Sequence, residues 1–277
     1  FPPIGGVDGV AGAGYAHRDP VIRITPSGTI YVAAQLAQVE FDGSTFVTND
    51  NFVVVYRSTD GGTNFESWGT LRSPTADGPD YRLLDFEIAQ GDFDRAWLAF
   101  EIVGESAPPE ALIARAELTS DAAFWTFDDP FGDRDVGQVR LATDATYRGD
   151  YRVYAVAVVD PPAGSGRLQD LWFVRSIDQG ATWSTPYAIQ FLTETSVPDV
   201  GLATGPGGIV HVAYSAKSES ASDADDVAYL RGTNAAASPF DWPSTPVVLT
   251  STGDGVSQFF DDMAVSILDG SVLLAFT

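Results

Sequence analysis

The chain of 277 residues has no cysteine and a single lysine, Lys217. Without thiols there is no disulfide framework, and cysteine usage gives no reading of the redox compartment. Basic residues are scarce altogether: 15 Lys and Arg face 38 Asp and Glu, a formal net charge of −23. Such a surface repels phosphate backbones and anionic headgroups, so nucleic acid and an anionic membrane surface are excluded as partners. No apolar run reaches the roughly 18 residues of a membrane-spanning helix, so no membrane insertion is expected. No long segment shows the 3.6-residue apolar spacing of an amphipathic helix. Low-complexity linkers are missing too, and residues 1–277 read as one domain with ample length for a large core. The chain opens at Phe1 without a visible signal peptide, as the mature form of an exported protein does. An extracellular or cell-surface location is the expectation.

What the chain does contain is a repeat. Arg57-Ser58-Thr59-Asp60-Gly61-Gly62-Thr63-Asn64-Phe65 and Arg175-Ser176-Ile177-Asp178-Gln179-Gly180-Ala181-Thr182-Trp183 are near copies, and Asp60 and Asp178 stand 118 residues apart. Five apolar stretches share one shape: 30–34, 96–100, 153–157, 210–214 and 272–276. Their second residues are Tyr31, Trp97, Tyr154, His211 and Leu273, spaced 66, 57, 57 and 62 apart. Arg57, Arg115, Arg175 and Arg231 follow at spacings of 58, 60 and 56. A fixed period of this size means that the fold is built from copies of one supersecondary unit.

Within a unit the pattern is all β. Short runs rich in β-branched and aromatic residues alternate with Gly, Pro, Asp and Ser clusters. The first unit reads as strands at 20–25, 30–35, 52–57 and 65–71, with 36–50 as a loop. Four antiparallel strands per repeat predict a β-propeller, whose blades bury their faces only against their neighbours. The fold class is therefore an all-β propeller of four-stranded antiparallel blades. Four are complete, at about 17–73, 80–131, 138–191 and 197–250, and 258–277 supplies the first half of a fifth. An unfinished blade leaves an unpaired edge. The expectation is that the natural protein continues past Thr277, or that a partner completes the fifth blade.

The repeated turn joins strands three and four. Its aspartate can accept backbone N–H groups of its own turn, while Gly62 and Gly180 supply positive φ. Ser58, Asp60, Gly62, Phe65 and Ser176, Asp178, Gly180, Thr182, Trp183 resemble the Asp box, S-x-D-x-G-x-T-W, of the sialidase superfamily and related Asp-box (BNR-repeat) propellers. The resemblance covers the whole chain as a repeat pattern, with Asn64 departing from it and with the second and fourth copies degenerate. It implies that these residues are structural and lie away from the ligand face.

Function is sought on the opposite face. Twelve residues before the second-strand markers stand Asp19, Asp85, Ala142, Asp199 and Asp261. The expectation is a ring of aspartates near the starts of the innermost strands, on the same face as the long loops between strands two and three. Such aspartates either cap backbone N–H groups and pair with neighbouring arginines, or form an acidic mouth that takes Ca²⁺. Asp129, Asp133 and Asp135 are a second calcium candidate. Calcium is the one cofactor the residues suggest.

Site residues also follow from resemblance. In sialidases an arginine two residues before a proline opens the first blade, and an aspartate before the third strand is the acid/base. Arg18 and Asp50 look like these two, although Asp19 departs from the family pattern and Tyr214-Ser215-Ala216 carries no arginine where the family has one. Arg18-Asp19-Pro20 also resembles the R-D-P element of five-bladed arabinanase- and xylosidase-type glycosidases. There Asp19 would be the base, with Asp85, Glu87 or Asp199 as the partner acid. Asp50 and Asp19 are thus the catalytic candidates. Arg18, Asp85, Asp199, Asp261, Tyr147 and Tyr151 are the ligand-binding candidates, the tyrosines as stacking platforms for sugar rings. The function expected is glycan or protein-partner recognition by a module of a larger secreted or surface protein. A sialidase-like glycoside hydrolase is the second reading and a purely structural module the third.

Overall fold

The computed structural model describes residues 14–41, 46–71, 80–89, 95–103, 110–117, 125–144, 152–192, 195–197, 199–218, 226–233, 241–249, 260–266 and 268–276. Among them there is no helix, and so none long and apolar enough to cross a membrane. The chain is an all-β propeller of four four-stranded blades and a two-stranded fifth sheet.

Blade 1 holds β1 (Gly14–Ile24), β2 (Ile30–Phe41), β3 (Phe46–Ser58) and β4 (Glu66–Leu71). Blade 2 holds β5 (Asp80–Ile88), β6 (Arg95–Val103), β7 (Glu110–Glu117) and β8 (Thr126–Asp128). Blade 3 holds β9 (Asp135–Thr143), β10 (Val153–Asp160), β11 (Gln169–Ser176) and β12 (Tyr187–Leu192). Each is an antiparallel meander in chain order. In blade 4 the innermost strand is split into β13 (Thr195–Ser196) and β14 (Val200–Gly205), which pair with different parts of β15 (Ile209–Ser218). Then follow β16 (Asp226–Gly232) and β17 (Val247–Val248). The fifth sheet is β18 (Phe260–Val265) with β19 (Val272–Phe276).

The five apolar stretches are the second strands, β2, β6, β10, β15 and β19. A second strand between covered neighbours is buried on both sides, which explains why the stretches in β2, β6, β10 and β15 are apolar without alternation. Residues 96–100 of β6 and 153–157 of β10 are almost wholly inaccessible. Each seam between blades has its own apolar cluster. Tyr31, Val53 and Trp68 meet Phe86 and Ile88; Trp97 and Ile113 meet Val139 and Leu141; Tyr154 and Phe173 meet Val200 and Val212. Ala213 and Val227 meet Met263 and Leu274 of the fifth sheet.

Two local features depart from the sequence expectation. Residues 36–41 and 46–50 are not loop but strand: β2 and β3 stay paired out to Phe41 and Phe46. In β1 the register shifts between Arg18 and Val21, where Asp19 and Pro20 are accommodated opposite Ala34. Proline has no N–H for the ladder, and a bulge is where a sheet tolerates it.

The two copied turns join β3 to β4 and β11 to β12, and they share one hydrogen-bond pattern. In the first, the Ser58 hydroxyl donates to Asp60 Oδ1 at 2.8 Å, Gly62 N–H donates to Ser58 Oγ at 2.9 Å, and Asn64 N–H donates to Asp60 Oδ1 at 2.9 Å. In the second, the matching distances are 2.7, 2.7 and 2.8 Å, from Ser176, Gly180 and Thr182. The Thr182 hydroxyl adds a bond of 2.6 Å to Asp178 Oδ2. Donors directed at both carboxylates, with the Asn64 N–H the largest contributor at Asp60, hold each at about 2. At Asp178 the Thr182 and Ser176 donors outweigh a burial penalty of opposite sign. Phe65 packs onto the apolar cluster of blade 1 and Trp183 onto the seam between blades 2 and 3. The second turn also bridges blades: Trp97 of β6 donates its indole N–H to the Gln179 carbonyl at 3.2 Å.

Candidate functional site

The innermost strands β1, β5, β9, β14 and β18 follow one another around the propeller axis and line an open cavity of about 970 Å³. The cavity wall carries charge where the strands are otherwise apolar. Arg23 Nε donates to Glu87 Oε2 at 3.2 Å, and its Nη2 lies 3.6 Å from Asp85 Oδ1. Arg140 Nη2 donates to Asp199 Oδ1 at 3.1 Å, and its Nη1 to the Leu84 carbonyl at 3.2 Å. Arg82 pairs with Glu101 and donates to the Gly137 carbonyl at 3.1 Å. Each guanidinium on this wall therefore faces a carboxylate, and most of these contacts join one blade to the next.

The carboxylates are tied to backbone as well. Asp85 Oδ1 accepts the N–H of Phe86 at 2.8 Å, and Oδ2 accepts that of Leu141, in the next blade, at 2.7 Å. Glu87, Asp199 and Asp262 each accept the N–H of the following residue, at 2.9, 2.9 and 2.7 Å. Burial raises Asp85 above the usual carboxylate range, against the pull of Arg23 and the Leu141 N–H. Burial also pushes Glu87 up to about 7; Arg23 lowers it and Asp85 raises it further. Burial opposes the charge of Arg23, but Glu87, Asp85 and Asp262 together hold the guanidinium more firmly protonated than usual. Three acids thus share one base, and burial with like-charge repulsion keeps a proton on the cluster near neutral pH.

The aspartate ring does not form as expected. The residues opposite the second-strand markers Tyr31, Trp97, Tyr154, His211 and Leu273 are Arg23, Glu87, Ala142, Ala203 and Ala264. The hairpins joining first and second strands differ in length, so a fixed count back from the markers reaches a different level in each blade. Asp85 sits well inside β5 while Asp199 precedes β14. Both still line the cavity, and both cap backbone and pair with arginine. Asp19 lies in the bulge of β1 and Asp261 in the register shift of β18, and Arg18 pairs opposite Gln35. Only the backbone of these three residues is described. Asp50 is not in a loop before the third strand but within β3, opposite Gln38. The adjacent Asn51 bonds Asp80 through its backbone N–H at 3.0 Å and its amide at 2.7 Å, which pins this hairpin to blade 2. Tyr147 and Tyr151 lie outside the described residues.

The second calcium candidate is not brought together. Asp129 Oδ1 accepts the Gly132 N–H at 2.7 Å, closing its own turn, and the Arg134 guanidinium turns onto Trp172, 4.2 Å from the ring centre. Among the described residues no three His, Cys, Asp or Glu side chains are arranged to hold a metal ion.

Neither the repeat nor the turn motif marks Arg23, Arg82 and Arg140. Their signal was present as single charges inside apolar strands, in Val21-Ile22-Arg23-Ile24 and in Val139-Arg140-Leu141. A charge on a strand of an all-β core needs a partner across the seam.

No protein-family model matches the chain, and no curated protein sequence matches it. Solved structures do. The leech intramolecular trans-sialidase superposes with a TM-score of 0.55 at 10% identity, over 96% of this chain and 53% of that one. The intramolecular trans-sialidase from Ruminococcus gnavus gives 0.54 at 10% identity, over 97% and 75%. The NanB sialidase from Streptococcus pneumoniae gives 0.56 at 12% identity, over 96% and 53%. The fold is that of the sialidase β-propellers. At this identity the likeness is one of fold, and the chain spans about half the length of the leech and pneumococcal proteins. What a sialidase-like propeller does with its axis depends on the residues there.

Proposed function

We propose that this chain is a glycan-recognition module that takes its ligand in the cavity at the propeller axis. The observation that carries this reading is the cavity wall. It is a pocket of about 970 Å³ on a sialidase-type scaffold, with fork-shaped guanidiniums and carboxylates directed at it. Such groups match the paired hydroxyls of a sugar, and the volume suits an oligosaccharide of a few units. The pairing favours an uncharged glycan. Arg23, Arg82 and Arg140 each face a protein carboxylate, so a sugar carboxylate would have to displace one. The same reading makes the chain part of a secreted or surface protein, for which the likeness to sialidase propellers is the support.

The test is a glycan array followed by calorimetry on the best neutral and sialylated ligands. Neutral ligands should bind and sialylated ones should not gain from their carboxylate. Arg140→Ala should weaken binding about tenfold, the cost of a charge-assisted pair. No binding on the array, or binding unchanged in Arg140→Ala, refutes the reading.

One observation favours a second reading, a glycoside hydrolase. A carboxyl held near 7 inside a cavity is poised as a general acid, and Glu87 is such a group. Turnover of a fluorogenic glycoside that is lost in Glu87→Gln while binding persists would establish it.

A further inference from the structure

On the side of the copied turns, the cavity wall ends in one run of hydrogen bonds that crosses four blades. Arg23, Glu87, Thr143 and Thr204 each stand within one residue of the end of their innermost strand. The Thr204 hydroxyl donates to the Thr143 carbonyl at 2.6 Å, and the Thr143 hydroxyl to the Ile88 carbonyl at 3.4 Å. The Ile88 N–H donates to Glu87 Oε1 at 2.9 Å, and Arg23 Nε donates to Glu87 Oε2 at 3.2 Å. Glu87 is the ionisable acceptor of this run. It lines the cavity, is 8% exposed, and accepts a bond from the protein at each oxygen.

The charges that face Glu87 come from its own strand and from three others. Asp85 stands two residues back on β5, 4% exposed, with Arg23 Nη2 of β1 3.6 Å from its Oδ1. From β18, Asp262 acts on the Arg23 guanidinium. From β9, Arg140 acts on Asp85 and is itself held by Asp199 at 3.1 Å. β6 places Trp97 opposite Glu87, and β2 and β3 bring Tyr31, Ala33, Val53 and Val55, none of them charged near neutral pH. With Glu87 ionised, three carboxylates share the Arg23 guanidinium. Protonation of Glu87 lowers that excess by one charge.

We propose that the cavity takes up its glycan together with a proton, so that binding is tight while Glu87 is protonated and weakens as Glu87 ionises. This linkage rests on the reading of the cavity as a glycan site. A neutral ligand seated over the cluster removes water from Glu87 and Asp85, and the lost hydration penalises the ionised form far more than the neutral one. The ligand restores little of it, since Ile88 and Arg23 already engage both Glu87 oxygens. Protonated, the same carboxyl gains an O–H donor, which a sugar hydroxyl or ring oxygen accepts. Burial, opposed by Arg23 and helped by Asp85, sets the Glu87 carboxyl at about 7, so the change in affinity falls in the neutral range. By reciprocity, the bound glycan raises that value further.

The full chain is read against the neutral glycans of the array, cellohexaose, xylohexaose and mannohexaose included, at pH 5.5 and pH 8.5. Those that bind are titrated by calorimetry. None of these sugars ionises in that range, so any pH dependence belongs to the protein. Affinity should be about thirtyfold weaker at pH 8.5, following the fraction of Glu87 that stays protonated. At pH 7 the heats in phosphate and in Tris should differ, which reports proton uptake. Glu87→Gln should bind equally at both pH values, whatever affinity it retains. Asp85→Asn removes the like charge beside Glu87 and should move the midpoint to lower pH. No binding at either pH refutes the glycan reading and the linkage with it. Wild-type binding that is equal at the two pH values, or that strengthens with pH, overturns the linkage alone. So does a loss of affinity at pH 8.5 that persists in Glu87→Gln.

Discussion

Replacing Glu87 by glutamine should make the fold less sensitive to alkali. Glutamine keeps the shape of the protonated carboxyl and cannot ionise. The Glu87 carboxyl titrates at about 7 in the folded chain against an ordinary value of 4.5, because burial outweighs the help of Arg23. Its neutral form is thus the one the fold prefers. The stability this group contributes is complete below pH 4.5 and is lost as the pH rises through about 7. At about 1.4 kcal/mol per unit of displacement, the loss amounts to roughly 3 kcal/mol by pH 8.5. Glu87→Gln escapes that loss. Urea denaturation of both proteins at pH 4 and pH 8.5 measures it, since titrating groups away from the Arg23 cluster cancel in the difference. The variant should gain about 3 kcal/mol on the wild type between the two pH values. Parallel curves would refute the shared proton. A variant that falls further behind at pH 8.5 would mean that Glu87 is ionised and that its pair with Arg23 stabilises the fold.

Further predictions concern the turns and the cavity. Gly180→Ala places a Cβ 2.7 Å from the Trp97 indole nitrogen at a φ of +82°, whereas Gly28→Ala meets nothing at a φ of +87°. Both should cost the roughly 1–2 kcal/mol of a left-handed alanine, and only Gly180→Ala should cost more and quench or shift Trp97 fluorescence. Asp178→Ala removes the acceptor of the Ser176 and Thr182 donors and should destabilise by about 1–3 kcal/mol in thermal denaturation. The carboxylate of Asp178 is held at about 2, below its ordinary 3.8, so its contribution is present above pH 3.8 and fades as the pH falls through 2. Arg140→Ala should change stability by less than about 1 kcal/mol, because the Arg140–Asp199 pair is about one-third exposed, while its effect on glycan binding is larger.

The period and the turns were legible in the chain because their physics is local. Asp60 and Asp178 bond groups no more than four residues away, so the turn is written in one short window. Second strands buried on both sides must be apolar throughout, so their recurrence marked the blades. The hairpin around Asp50 was hidden for the opposite reason. Thr48, Asn49, Asp50 and Asn51 have the composition of a turn, but Asn51 is held in a strand by Asp80, 29 residues away. Here a contact between blades overrides local preference.

The cavity depended on register, which sequence spacing does not carry. The hairpins joining first to second strands vary in length, so only the folded pairing shows that Glu87, and not Asp85, stands level with Arg23. The partners in the wall lie far apart in the chain: Arg23 and Glu87 by 64 residues, Arg140 and Asp199 by 59. The sequence by itself determined that the protein is a repeating β-propeller with two aspartate-stapled turns, because hydrophobic period and turn chemistry act over a few residues. Which charges meet at the axis was decided by the tertiary structure alone, because a buried charge takes its partner from the neighbouring blade.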